Sequence, residues 1–151
     1  LTVVQFDSHA DLMKEWMGNP YSHITWAYRA LREGFKVVQI GVRSYDESET
    51  KMLKKVKKFF DKDDVIYLTI DLDVLSTAVC RDVGTPEPGG MELEEFMEYL
   101  GCVFKNKVVG MDIVECAATN VKSQSALIAA NIIKRALALR WANEGERKRY
   151  G

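Results

Sequence analysis

Four short apolar runs punctuate the chain, at residues 3–6, 37–42, 65–72 and 108–114. Each is rich in valine and isoleucine and lacks regular polar alternation at its centre, which is how a strand buried on both faces reads. Between them, apolar residues recur at helical spacing. Trp26, Ala27, Ala30 and Leu31 make one face, closed by Gly34; Met52, Leu53, Val56, Phe59 and Phe60 make a second; Leu93, Phe96, Met97, Leu100 and Phe104 make a third. A fourth starts at Ser123, its expected cap, and runs through Leu127, Ala130, Ile133 and Leu137 to Trp141, with a stop expected at Asn143-Glu144-Gly145. Strands alternating with helices predict right-handed β-α-β crossovers, hence an α/β fold with a parallel sheet and helices on its faces. The three prolines fall outside these elements. Pro86 and Pro88 lie in Gly84-Thr85-Pro86-Glu87-Pro88-Gly89-Gly90, a turn-rich link that can be neither helix nor central strand.

Composition narrows the class. The 151 residues suit one domain, with residues 143–151 as a basic tail, and 47% hydrophobic content supports a real core. Twenty-one basic residues against 22 acidic ones give a formal net charge of −1, so no nucleic-acid or membrane-surface partner is expected. Lys54, Lys55, Lys57 and Lys58 read as the solvated side of the second helix. No apolar run approaches the ~20 residues of a membrane helix. The cysteines, Cys80, Cys102 and Cys116, are odd in number and form no Cys-x-x-Cys. That argues against a disulfide framework or structural zinc and for the cytoplasm, with Cys116 expected as a small buried hydrophobe.

The chemistry collects at two strand ends. The first strand runs out into Asp7-Ser8-His9-Ala10-Asp11 and the third into Asp71-Leu72-Asp73. Residues i and i+2 of a strand face the same side, so Asp7 can converge with His9 and Asp71 with Asp73, while irregularity past the strand end can bring in Asp11. The carboxyl edge of an open α/β sheet is where such sites are built. Carboxylates with one imidazole favour manganese or magnesium over thiolate-bound zinc. Two cations would neutralise the four aspartates and activate a bridging water as hydroxide near neutral pH. An isolated Asp-x-Asp is more often a turn or cap; it is the pairing of the two motifs that points to metal. His23, in a loop leading into a helix, reads as surface or, given its closeness to the motif, as a proton shuttle. Glu115 ends the fourth strand at the same edge, where a carboxylate can pair with a planar guanidinium. Asp112 is expected to be hydrogen-bonded within the sheet. Arg43 is expected in a salt bridge or subunit contact.

These segments resemble the ureohydrolase family of arginase and agmatinase. Phe6-Asp7-Ser8-His9-Ala10-Asp11 is similar to its Asp-Ala-His-x-Asp motif, and Tyr21-Ser22-His23 to the histidine segment of agmatinases. Thr69 to Val74 is similar to Ser-x-Asp-x-Asp, residues 84–90 to the Gly-Thr-Pro-Glu-Pro-Gly-Gly loop, and Asp112 to Glu115 to Asp-x-x-Glu. The resemblance implies a three-layer α-β-α fold with a mainly parallel sheet. It implies two manganese ions bridged by Asp7 and Asp71, with His9 and Asp73 completing one site. Asp11 would serve the other and orient the hydroxide, His23 would pass a proton to the leaving amine, and Glu115 would bind the guanidinium. The implied reaction cuts a small guanidino compound, agmatine in preference to arginine, into urea and an amine, in an enzyme that forms trimers or hexamers. The family's Gly-Gly-x-His motif and N-terminal strands have no counterpart here, so the chain is expected to be the C-terminal part of the domain. Alone it would be inactive and prone to self-association. Other readings are cleavage of formiminoglutamate or guanidinobutyrate, an amidohydrolase or deacetylase on a related fold, and a non-catalytic metal-binding or assembly module.

Overall fold

All four apolar runs form strands: β1 (Thr2–Phe6), β2 (Lys36–Ile40), β3 (Val65–Asp71) and β4 (Lys107–Val114). The computed structural model describes residues 1–150, with side chains through residue 143. Every pairing is parallel and the order is β2-β1-β3-β4. From β1 the chain passes through α1 (Trp26–Arg32) to β2 on one side; from β3 it passes through α3 (Leu93–Val103) to β4 on the other. Right-handed crossovers running in opposite directions put α1 and α3 on opposite faces of the sheet. They also make β1 and β3, neighbours in the middle, a topological switch point whose carboxyl edge opens as a crevice.

Alternation within the apolar runs decides what each face does. Val4, Phe6, Ile66, Leu68 and Ile70 point to one side and are sealed into the main core with Phe96 and Leu100 of α3 and Ile132 of α4 (Gln124–Tyr150). Phe6 meets Phe96 edge-on at 5.0 Å between ring centroids, a pairing that adds about 1 kcal/mol to the burial of both rings. The intervening positions hold Gln5, Asp7, Thr69 and Asp71 and point the other way. That face is therefore polar at its centre, which the Val/Ile-rich reading of the runs did not anticipate. Its groups bond to one another: Gln39 donates to Gln5 Oε1 at 2.6 Å, and Gln5 donates to Asp7 Oδ2 at 2.6 Å, while the buried Gln39 Oε1 has no partner among the described residues. As expected, Asp112 is held inside the sheet, accepting from Tyr67 Oη and Thr69 Oγ1 at 2.8 and 2.7 Å. A register shift between Ile66 and Tyr67 sets Gly110, Asp112 and Val114 opposite Tyr67, Thr69 and Asp71. Gly110 is needed there, because a Cβ would stand 2.9 Å from the Tyr67 ring.

Three expectations need correction. The second helix shrinks to α2 (Thr50–Leu53), and residues 54–64 are turns, with Phe59 exposed. Lys51, Lys54, Lys55 and Lys58 would crowd one another at i, i+3 and i+4 spacing on a helix; instead Lys57 bridges to Val38 beside β2. The stop at Asn143-Glu144-Gly145 is not used, since α4 continues to Tyr150; the side chains of the basic tail lie outside the described residues. Cys116 is exposed rather than buried, because the chain leaves the sheet edge at Glu115, whose backbone is left-handed at φ 60°. The other helix ends agree with expectation. Gly34 follows α1 at φ 89°, and Ser123 Oγ caps α4 by accepting from Ala126 N at 3.2 Å.

Candidate metal centre

Past the end of β1 the chain makes an isolated bridge from His9 to Ser44, beyond β2, instead of continuing the sheet. Past β3 it turns into a 3-10 segment, Leu72–Val74. Both departures fold carboxylates back on their own backbone. Asp7 Oδ1 accepts from His9 N at 2.7 Å, and Asp71 Oδ1 from Asp73 N at 2.9 Å. Asp73 Oδ1 reaches across to Ser8 N at 2.9 Å and ties the two strand ends together.

The result is a tight group of Asp7, His9 and Asp73, whose candidate ligand atoms all lie within 4.8 Å of one another. His9 Nδ1 stands 2.9 Å from Asp73 Oδ2, 3.5 Å from Asp7 Oδ1 and 3.0 Å from Ser8 Oγ. One ring nitrogen cannot satisfy three oxygens. Asp73 Oδ2 is sealed from solvent and makes no well-aligned hydrogen bond among the described residues. A divalent cation would resolve that arrangement, and the oxygen-rich donor set with one imidazole suits a hard or borderline ion.

Electrostatics say the same. Burial, then the neighbouring Asp7 charge, pushes Asp71 up to about 9 and Asp11 up to about 7. Burial likewise raises Asp7. Hydrogen bonding to Asp7 and Asp73 pushes His9 up to about 10. Burial would raise Asp73 as well, but His9 and Ser8 together outweigh it and hold this carboxyl below its ordinary value. Carboxyls forced toward protonation so close together need positive charge to ionise.

Asp11 and Asp71 stand on the wall of the same cavity as Asp7 and His9, outside the tight group. Asp11 adopts φ 54° and accepts from Trp26 Nε1 at 2.9 Å, so Trp26, read as part of an apolar helix face, also holds a site carboxylate. Leu12 N donates to the buried Glu49 at 2.7 Å and fixes the next residue. His23 opens the 3-10 turn before α1, exposed on the cavity rim, and Glu115 faces the cavity just past β4. Gly84 makes room for Glu115, whose Oε2 would lie 2.6 Å from a Cβ at that position. The cavity measures ≈ 740 Å³, and Leu1, Val3, Phe35 and Tyr67 give it an apolar wall.

Arg43 has no carboxylate partner among the described residues. It donates instead to backbone oxygens of Asp73 at 2.7 Å, Pro88 at 3.0 Å and Glu87 at 3.2 Å, clamping the 84–90 loop to the site. Glu87, Ser44, Trp26 and Glu49 were not singled out as site residues from sequence. Only the Pro-Glu-Pro setting of Glu87 carried a local signal, a rigid loop that aims its side chain.

Comparison with known proteins agrees with this fold. A model of the arginase family matches residues 1–59 and 49–139. An N(1)-aminopropylagmatine ureohydrolase of Thermus thermophilus is 32% identical over 163 aligned positions, covering 95% of this chain and 55% of the relative. An agmatinase of Halalkalibacterium halodurans is 31% identical, covering 93% and 55%. Among solved structures, the arginase from Medicago truncatula superposes with a TM-score of 0.78 at 26% identity, covering 92% of this chain and 51% of that one. Proclavaminate amidino hydrolase from Streptomyces clavuligerus gives 0.73 at 27% identity, covering 95% and 56%. The chain thus spans about half the length of the relatives it matches.

Proposed function

The chain belongs to the arginase family, and we propose that the full-length protein hydrolyses a guanidino compound, agmatine rather than arginine, to urea and an amine. The observation that carries this is the convergence of Asp7, His9 and Asp73 at the switch point, with Asp7 and His9 lining one cavity together with Asp11, Asp71 and Glu115. In this reading the side chains of Asp7, His9, Asp11, Asp71 and Asp73 would hold two manganese ions. Such a pair supplies a strong nucleophile from water at neutral pH and offsets the carboxylate charge.

The chain's own residues do the rest. Glu115 holds the guanidinium by paired charge-assisted hydrogen bonds. Asp11, fixed by Trp26, orients the attacking water. Oxygen adds to the guanidinium carbon, the bond from that carbon to the alkyl nitrogen breaks, and His23 delivers the proton with which the amine leaves. One contact supports the preference for a substrate without an α-carboxylate. Arg29 is on the cavity wall, but its guanidinium is taken up by Pro20 O and Thr25 Oγ1 and lies over the Tyr21 ring.

The same reading has the protein assemble into trimers or hexamers in the cytoplasm. The exposed apolar stripe of α4, with Leu127, Leu137 and Trp141, and three unpaired cysteines support it. Among the described residues no helix is long and apolar enough to cross a membrane. The test is urea release from agmatine and from arginine with manganese supplied, using the full-length protein and its Asp71→Asn variant. Urea from agmatine, lost in the variant, is expected. Manganese bound but no urea from either substrate would overturn the assignment.

A further inference from the structure

His9 has two ring nitrogens, and only Nδ1 faces the aspartates. Its Nε2 points to the 84–90 loop, where Glu87 Oε1 lies at 3.5 Å, within ion-pair range and at the outer limit of a hydrogen bond. Glu87 is not adrift there. Ser44 Oγ donates to the same Oε1 at 2.8 Å, and Arg43 grips the Glu87 and Pro88 carbonyls. Ser44 is in turn the bridge partner of His9, and its backbone N donates to Ser8 O at 2.9 Å. Glu87, Ser44 and His9 therefore form one closed unit across three loops. The Glu87 side chain is one-third exposed and has no further polar partner among the described residues that would explain its inward aim.

We propose that Glu87 is a positioning residue for the metal site, accepting the Nε2 proton of His9 so that Nδ1 is presented, unprotonated, as a ligand beside Asp7 and Asp73. An imidazole carries one proton when neutral, and whichever nitrogen meets an acceptor keeps it. A carboxylate on Nε2 thus fixes the tautomer and ring orientation and raises the basicity of the ligating nitrogen. Ser44 holds the carboxylate in place by donating to Glu87 Oε1. The inference rests on the proposed metal centre but can fail separately from it.

The experiment is a manganese titration by calorimetry of the metal-free full-length protein and its Glu87→Ala, Glu87→Gln, Ser44→Ala and Asp73→Asn variants, each first checked by thermal melting. Glu87→Ala should weaken manganese binding about 10–100-fold. Glu87→Gln, which keeps an acceptor oxygen in place, should recover most of that loss, and Ser44→Ala should cost less than Glu87→Ala. Glu87→Ala binding as tightly as wild type would overturn the proposal while leaving the metal centre standing. So would a loss in Ser44→Ala as large as in Glu87→Ala, since that would mark a contribution of loop packing alone. Failure of the wild type to bind manganese, or Asp73→Asn binding as well as wild type, would remove the metal centre and this inference with it.

Discussion

Stability of the metal-free protein should fall as pH rises, and manganese should reverse the trend. Asp71 carries the argument. Its ordinary value is 3.8, and burial and Asp7 push it up to about 9 in the fold. Between those values the folded protein keeps a proton that the unfolded chain has released, so unfolding releases a proton and is favoured by alkali. One such proton gives a slope of about 1.4 kcal/mol per pH unit, or about 4 kcal/mol between pH 5 and pH 8. That is a large part of the roughly 5–15 kcal/mol that holds a typical domain together. Asp11, raised to about 7, and His9, raised from 6.5 to about 10, act in the same direction and steepen the slope. Asp73 is lowered, so its contribution changes only below about pH 4, outside this window. The assay is thermal unfolding of the full-length protein in chelator and in excess manganese at half-unit steps from pH 5 to pH 8. In chelator the melting temperature should drop by roughly 5–15 °C. In manganese it should hold level or rise, because the ion takes the place of the protons. A metal-free melting temperature that is flat or climbs with pH would refute the reasoning.

Three further perturbations follow from the same geometry. Gly84→Ala should displace the Glu115 carboxylate, raising KM for agmatine about tenfold or more with little change in the melting temperature; steady-state kinetics beside a melt reads both. Arg43→Ala removes the clamp on the Asp73, Glu87 and Pro88 carbonyls and should cost about 2 kcal/mol in urea unfolding, with Arg43→Lys failing to restore it because a point charge cannot span three acceptors. Phe6→Ala, in the fully buried layer against Phe96, should cost about 3–5 kcal/mol while leaving the donor set of the metal centre unchanged in identity.

The fold was legible because its strands are buried on one face by Val4, Phe6, Ile66, Leu68 and Ile70, whose apolar signal survives the polar residues between them. The same averaging hid Gln5, Gln39 and Thr69, which line the chemical face. The residues 52–60 were misread because five apolar positions outweighed the lysine repulsion that breaks the helix. The grouping of Asp7, His9 and Asp73 was legible because two motifs at neighbouring strand ends are local signals that together point to one place. What the motifs could not give is support from distant loops. Glu87 lies 78 positions after His9, Glu49 lies 37 after Leu12 and Trp26 lies 15 after Asp11. Nothing in local periodicity links such pairs, since crossover topology brings them together.

The backbone shows where the fold concentrates its cost. Four non-glycine residues have left-handed φ: Asp11, Met17, Asp63 and Glu115. Met17 and Asp63 sit in turns, and Met17 precedes Gly18 inside the Trp16–Asn19 bridge, where a tight reversal demands that sign. Asp11 and Glu115 belong to no turn, yet each is strained by about 1–2 kcal/mol. Both carry carboxylates into the one cavity that also contains Asp7 and Asp71. Strain and like-charge burial therefore coincide at the carboxyl edge of β1 and β3, while the opposite face of the same strands is the main core. Local stability does not account for the strain, because a relaxed backbone at either residue would cost less. A cation between the aspartates and a cationic guanidinium at Glu115 would offset both at once, and this is why the two carboxylates are better read as parts of one reaction site than as separate turns.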